Sequence, residues 1–464
     1  MDFFPMQSFR LPALFLSLAL LVPAPPPADA APPLSEAARW LQGYLRIDTT
    51  TPQGERRAAE YLAGILRREG IEPRLIPNPQ GRPSLFARLS SPRSGGRAAV
   101  LLHHMDVVPP GQGWTVPPYS GQVKGGLLWG RGAVDVKSLG IAQLAAMVDL
   151  KRKSVPLERD VIYLAVPDEE NGGLQGAGWL LAKHPELFRG VEAVMGEGGR
   201  AQTGAGDTLL WWGIEVAQKR PLWLEISTSG RGGHGSGLNP DSATHQLIQG
   251  LARVLALPPR WRVTPPARAY CRAIAPLHEG RWRRVLSDVD SIIAETGPRE
   301  LLMPSVSNLF VDTVQVTVLQ GASKINVIPA RAKALVDVRL LPDTNAEAFL
   351  ARIRQALGQG FQVKVLVTSP PVPGSPAGGR FYQAVERALR ADGPVVPTFI
   401  PGFTDSRFFR ARGIPAYGVS PFAIASDHLR GVHGPDERIP LAELDRGVER
   451  TRRIVRLYAA SPKR

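Results

Sequence analysis

Three short runs of the chain are apolar from end to end and turn polar at the same point. They read "AAVLLHHMD" (98–106), "DVIYLAVPDEE" (160–170) and "VEAVMGEGG" (191–199). A strand that does not alternate is buried on both faces, which is the habit of parallel sheets. Helical stretches such as "IAQLAAMVDLKRK" separate these runs, and "SEAARWLQGYLRI" precedes them. Strands alternating with helices predict an α/β layered domain with a mainly parallel sheet from about 34 to 215. Ligands of such sheets bind beyond the carboxyl ends of the strands. The polar residues of all three runs sit there, so chemistry is expected along that edge.

From about 218 to 370 the rhythm changes. "PLWLEISTS", "NLFVDTVQVTVLQ", "AKALVDVRLLP" and "FQVKVLVTS" read as strands, and "SATHQLIQGLARVLAL" and "NAEAFLARIRQALG" as helices. The order βαββαβ predicts a ferredoxin-like α+β sandwich. "PPVPGSPAGG" (370–379) reads as the linker out, after which the α/β pattern resumes. The expected division is a signal peptide over 1–30, a catalytic domain over 31–217 and 371–464, and an inserted domain over 218–370. The segment 265–298 is long for that insertion, with shaping of specificity or a dimer surface as its two alternative roles.

The first 30 residues differ from the rest. Arg10 precedes "LPALFLSLALLV", and "PAPPPADAA" follows. That layout is a secretory signal cleaved after Ala30; an uncleaved anchor is the alternative. The run is shorter than the roughly 20 residues that span a bilayer, so no stable membrane insertion is expected after cleavage. Cys271 is the only cysteine, which fits a bacterial periplasm better than a disulfide-forming secretory pathway. The expected location is periplasmic or extracellular. The net charge is +15, but the basic residues are scattered, with short clusters such as "RWRR". Without a basic stripe interleaved with aromatics, a solvated surface is the reading and no nucleic-acid partner is expected.

The strand-end residues form a constellation. His104 and Asp106 lie in "HHMDVVP", Asp135 in "WGRGAVDVKS", Glu169 and Glu170 in "PDEENGG", Glu197 in "MGEGG" and His433 in "GVHGPDERI". Histidine and carboxylate donors without cysteine suit zinc, with manganese or cobalt as alternatives. Clustered anions at a strand end are costly unless cations neutralise them.

In order and local sequence these motifs resemble the two-zinc aminoacylase and carboxypeptidase family of metallopeptidases, over about 35–460. The resemblance implies a zinc-exopeptidase-like layered domain, interrupted by a ferredoxin-like lid and dimerisation domain, with two Zn²⁺ per subunit. It implies that His104 and Glu197 bind one ion, that Glu170 and His433 bind the other, and that Asp135 bridges them. Asp106, expected on the same face of the strand as His104, would orient that imidazole. Glu169 would be the general base. His234 in "GRGGHGS" would stabilise the oxyanion, in dimeric members from the partner subunit. Asn326 and Arg339 in "NVIPARAKALVDVRL" would contact substrate, Arg339 through its free carboxylate. "GFTDSRFF" matches a turn lining the pocket, where Thr404 or Asp405 would equally serve as helix caps. Ser138 stands where many members have glycine.

The implied activity is hydrolysis of an amide or peptide bond next to a free carboxylate, on a small peptide or N-acyl amino acid. Glu197 points to carboxypeptidases and deacylases, since an aspartate there accompanies dipeptidases and tripeptidases. An aminopeptidase-like or dipeptidase activity, an inactive peptide-binding protein of the same fold and a basic polyanion-binding envelope protein are the alternatives. A homodimer is a family expectation. His103, Trp114, Trp129 and Cys271 read as structural, and His184, His245, His278 and His428 are unassigned.

Overall fold

The computed structural model describes residues 33–204, 207–296 and 304–461. The segment read as a signal peptide lies outside the described residues. In chain order the strands are β1 (Pro73–Pro77), β2 (Pro83–Leu89), β3 (Ala98–His104), β4 (Gln122–Lys124), β5 (Leu127–Trp129), β6 (Asp160–Val166), β7 (Val191–Gly196), β8 (Ala201–Thr203) and β9 (Leu209–Gln218). There follow β10 (Arg220–Ser229), β11 (Gly233–His234), β12 (Thr313–Gln320), β13 (Val327–Ile328), β14 (Arg331–Leu340), β15 (Phe361–Thr368), β16 (Val395–Ile400), β17 (Ala416–Gly418) and β18 (Arg438–Pro440).

The central sheet runs β1-β2-β6-β3-β7-β17-β9-β16, with β8 beside β9. Its middle is parallel: β3 pairs with β6 on one side and β7 on the other. β1 and β2 make an antiparallel edge. Every residue of β3 and β6 is buried, as their unbroken apolar runs require. The helix Lys137–Arg152 covers one face and is buried at nearly every position. On the other face the helix Ala177–Lys183 and Phe409 pack against Val100, Leu164 and Val194. Local signals set the helix ends. The helix Pro52–Arg68 starts where Thr51 accepts a hydrogen bond from the Gly54 N–H, has proline at its first position and ends in Arg67 and Arg68.

A second sheet, β12-β14-β10-β15, is antiparallel throughout. With the helices Ala243–Leu255 and Ala346–Leu357 against one face, it is the βαββαβ sandwich anticipated above. Its other face is open, so β12 and β15 alternate between more and less exposed residues. The segment 265–298 forms, over its described part, the helices Pro265–Ile274, Gly280–Ser287 and Val289–Thr296. Their apolar residues pack with Trp211 of β9 and with Val396 and Phe399 of β16, on the edge of the central sheet. From Glu36 onward the chain is one compact unit. No helix among the described residues is long and apolar enough to cross a membrane.

Candidate metal centre

β6, β3 and β7 are adjacent and parallel, so their carboxyl ends lie side by side. His104 is the last residue of β3, Glu197 follows β7, and Glu169 and Glu170 open a short turn after β6. Asp135 lies just before the helix Lys137–Arg152, and the peptide after it is cis. His433 arrives from far along the chain. The small sheet β18-β5-β4 brings it there, pairing Ile439 with Leu128 on either side of the Asp135 and His433 loops.

The donors fall into two groups that share Asp135. His104 Nε2 lies 3.2 Å from Asp135 Oδ1 and 3.6 Å from Glu197 Oε2. His433 Nε2 lies 3.3 Å from both Asp135 Oδ2 and Glu170 Oε1. Asp135 thus gives one oxygen to each group. Zinc bonds of about 2.0–2.2 Å at tetrahedral angles put neighbouring donors roughly 3.3–3.6 Å apart. Donor type and spacing both fit a pair of such cations.

The electrostatics show what the ions would replace. Burial opposes charge on His104, yet the carboxylates of Glu197 and Asp135 outweigh it and hold the imidazole well above its usual range. Hydrogen bonds to Asp135 and Glu170 raise His433 to about 10. Burial would raise Asp135, but its two imidazole partners hold it well below the carboxylate range. The chain therefore balances this concentration of carboxylate charge with protons on two imidazoles, a role that divalent cations take over.

Glu169 stands in neither group and is 8% exposed. Burial first, and the neighbouring Glu197 charge second, push its carboxyl well above the usual range, so it holds a proton more tightly than a solvated glutamate. Asp106 holds the turn that carries it. The Asp106 carboxylate accepts the backbone N–H groups of Glu169 at 3.1 Å and Glu170 at 3.0 Å. His104 Nδ1 donates to the backbone carbonyl of Asp106 at 2.9 Å, and the Asp106 carboxylate stands 3.7 Å from that nitrogen. Asp106 lies beyond the end of β3, where the sequence had placed it on the strand. The turn continues through Gly172 and Gly173, both at positive φ. A Cβ at Gly172 would stand 3.0 Å from Val367 of β15, and one at Gly173 only 2.1 Å from Asp405 Oδ1. Glycine is what lets the second sheet and the 405 loop close on this turn.

The structure separates the remaining sequence candidates. Arg339 lies on β14, 4.5 Å over the ring of Phe403, in the loop that leads to Asp405. Asp337 occupies its Nε and Nη2 at 2.7 and 2.8 Å. His234 and Asn326 meet on the β11–β13 ribbon, where the Gly235 N–H donates to the Asn326 carbonyl. Both are exposed, and the imidazole of His234 bonds Ser236 Oγ at 2.8 Å. The capping alternative at 404–405 divides. Thr404 Oγ1 accepts the Ser406 N–H at 3.2 Å, whereas Asp405 makes no side-chain cap to the helix Ser406–Arg410. Asp405 is buried, has no hydrogen-bond partner for either carboxylate oxygen among the described residues, and walls a small cavity with His104 and Glu197. Burial raises it to about 8.

Two supporting residues escaped the sequence reading. Glu437 is fully buried, accepts the backbone N–H groups of Gly132, Val134 and Asp135, and pairs with Arg131 at 2.7 Å. Asp168, at φ 78°, pairs with Arg82 and accepts the Gln175 N–H, anchoring the start of the Glu169 turn. A charge four residues after His433, and the first acid of "PDEE", were the available signals. Of the residues read as structural, His103 is packed between Tyr44 and Tyr163, and burial lowers it to about 3. Cys271 is buried, its thiol pushed up to about 12.

Residues 100–457 match Peptidase family M20/M25/M40. The chain is 28% identical over 436 residues to aminoacylase-1 of Sus scrofa, across 90% of this chain and 94% of that one. It is 29% identical over 436 residues to succinyl-diaminopimelate desuccinylase of Methylobacterium radiotolerans, across 90% and 96%. Among solved structures, the M20 family metallo-carboxypeptidase Sso-CP2 from Sulfolobus solfataricus aligns with a TM-score of 0.70 at 19% identity, covering 92% of this chain and 99% of that one. That likeness speaks to the fold, and the sequence match to the line of descent. The matched family is one of peptidases; one solved M20 peptidase, from Bacillus subtilis, is dinuclear metal binding, and the two donor groups joined at Asp135 are spaced to suit a pair of cations. On the match over most of its length, the chain belongs to peptidase family M20/M25/M40.

Proposed function

We propose that the protein is an exported two-zinc hydrolase that cleaves an amide or peptide bond next to a free carboxylate, as a carboxypeptidase or an N-acyl-amino-acid amidohydrolase. The observation that carries this is the shared carboxylate of Asp135 between two His–carboxylate groups, with buried Glu169 beside them. His104 and Glu197 would hold one ion, Glu170 and His433 the other, with Asp135 between them. When bound, the ions polarise the scissile carbonyl and make the attacking water more acidic. Glu169 takes the proton of that water and delivers it to the leaving nitrogen, for which its raised proton affinity suits it. Asp106 fixes the peptide that carries Glu169. Arg339 offers the substrate carboxylate its remaining Nη1 edge, with Asp337 setting the plane of the guanidinium. His234 and Asn326 complete the site from the ribbon, His234 from the partner subunit of a homodimer. Domain boundaries at 217/218 and 370/371, and a signal peptide over 1–30, belong to the same reading.

The test is a panel of N-acyl amino acids and N-blocked dipeptides, each with its C-terminal amide counterpart, given to the zinc-loaded protein. Turnover is expected only with the free carboxylate. Glu169→Gln is expected to lower kcat by about 10²–10⁴-fold while two zincs stay bound. Equal cleavage of the amides would replace this reading with an aminopeptidase-like one.

A further inference from the structure

Beside the metal centre lies a larger cavity, of about 610 Å³. Its near wall is Gly198, the residue after Glu197, together with Ile400 and Pro401 on the chain that leads to Asp405. A smaller cavity, of about 220 Å³, is lined by Asp135 and Glu197 themselves, and Gly198 and Arg200 line both. The larger cavity thus adjoins the metal centre through the chain leaving β7. Its far wall is Tyr270, Ile274 and Leu277 from the segment without a sequence assignment, joined by Leu309. Leu210 and Trp211 of β9 line it as well.

Size and lining limit the occupant. The volume is within the range of about 300–1,000 Å³ that takes an organic ligand whole. The polar side chains of the wall are Arg200, Gln202, His278 and Thr398, among a majority of aliphatic and aromatic ones. A peptide arm brings a donor and an acceptor at every residue, and each left unpaired is penalised. An alkyl chain needs no partner and gains with each methylene it buries.

We infer that this cavity receives the apolar acyl arm of the substrate, so that the preferred class is N-acyl amino acids with medium or long acyl chains. The inference rests on the amidohydrolase reading above. Water adds across the amide C–N bond: the acyl carbon gains the oxygen and leaves as a fatty carboxylate, and the nitrogen gains a proton and leaves with the amino acid. The helix Pro265–Ile274 and the turn that follows it, through Leu277 and His278, then form the specificity wall rather than part of the lid.

Two measurements test it. One is kcat/KM of the zinc-loaded protein on a single amino acid carrying acetyl, butanoyl, hexanoyl, octanoyl and decanoyl groups. A rise of about three- to fourfold per methylene is expected, the value of burying a methylene. The other is calorimetric titration of the metal-free protein with decanoate, which needs no catalysis. Leu277 is 39% exposed, so Leu277→Glu puts a charge into the wall without emptying a core. It is expected to lower the decanoyl-to-acetyl ratio at least tenfold and to weaken decanoate binding. A flat series with no decanoate binding overturns the inference, while acetyl turnover keeps the hydrolase reading. Decanoate binding untouched by Leu277→Glu also overturns it. Decanoate binding weakened by Leu277→Glu, with no turnover of any substrate, supports the cavity and overturns the hydrolase reading instead.

Discussion

β3 and β6 are buried at every residue, while β12 and β15 alternate in exposure. The first sheet holds its polar residues at one end, where neighbouring strands and buried partners such as Asp106 and Glu437 fix them. Apart from the second sheet, a separate ribbon of two paired residues per strand carries His234, with Asn326 just before its other strand, and both are exposed. A metal site needs donors set to a few tenths of an ångström before any ion arrives. The contrast separates a site assembled within one chain from residues that this chain presents outward.

The largest effect expected on the metal side is that of Asp135→Ala, which removes a donor from both groups. Bound zinc should fall below one per chain by elemental analysis, and turnover to background. On the ribbon side, His234→Ala should lower kcat by about 10²–10³-fold with zinc content unchanged, the size of losing one oxyanion donor. Loss of zinc in that variant would break the comparison, because the ribbon would then belong to the metal edge.

The sheets themselves separate next. Leu164 is 0% exposed and Leu319 63%. Leu164→Ala should cost about 2–5 kcal/mol in urea unfolding, and Leu319→Lys no more than about 0.5 kcal/mol. A large loss at Leu319 would mean that this edge of the second sheet, exposed here, is covered in solution.

The smallest effect is on pH. In the metal-free chain His433 titrates near 10 and His104 well above its usual range. Both are protonated at neutral pH, and an incoming ion must displace those protons. Zinc affinity should therefore rise as pH rises, about tenfold per unit for each proton released, and level off as pH approaches 10. Competition against a chelator from pH 6.5 to 8.5 would show it, and a flat profile would mean that the imidazoles are already neutral.

What the sequence disclosed follows from how far apart the interacting residues lie. His104, Glu170 and Glu197 were legible because an apolar run and its polar end are contiguous. The βαββαβ order was legible because period-2 and helical patterns are local. β9 was missed: its segment "LLWWGIEVAQ" contains Glu215, which is buried only because Arg410 meets it at 2.7 Å from 195 residues away. Glu437 was missed for the same reason, its partner Arg131 being 306 positions distant. Asp405 left an ambiguous signal, since a polar residue before a short helix is ordinarily a cap. Its burial comes from the approach of Gly173, which no pattern around residue 405 records.

The position of His433 has a consequence for how the molecule is made. His104, Asp135 and Glu197 leave the ribosome before the second sheet begins, whereas His433 follows that sheet near the end of the chain. A chain that stops anywhere between 198 and 432 keeps every donor of the first group and lacks one of the second. It also lacks Glu437, which holds the backbone of Asp135. The two donor groups are therefore not equivalent during synthesis: the first is complete in sequence before the second sheet is made, and the second waits for the loop that carries His433.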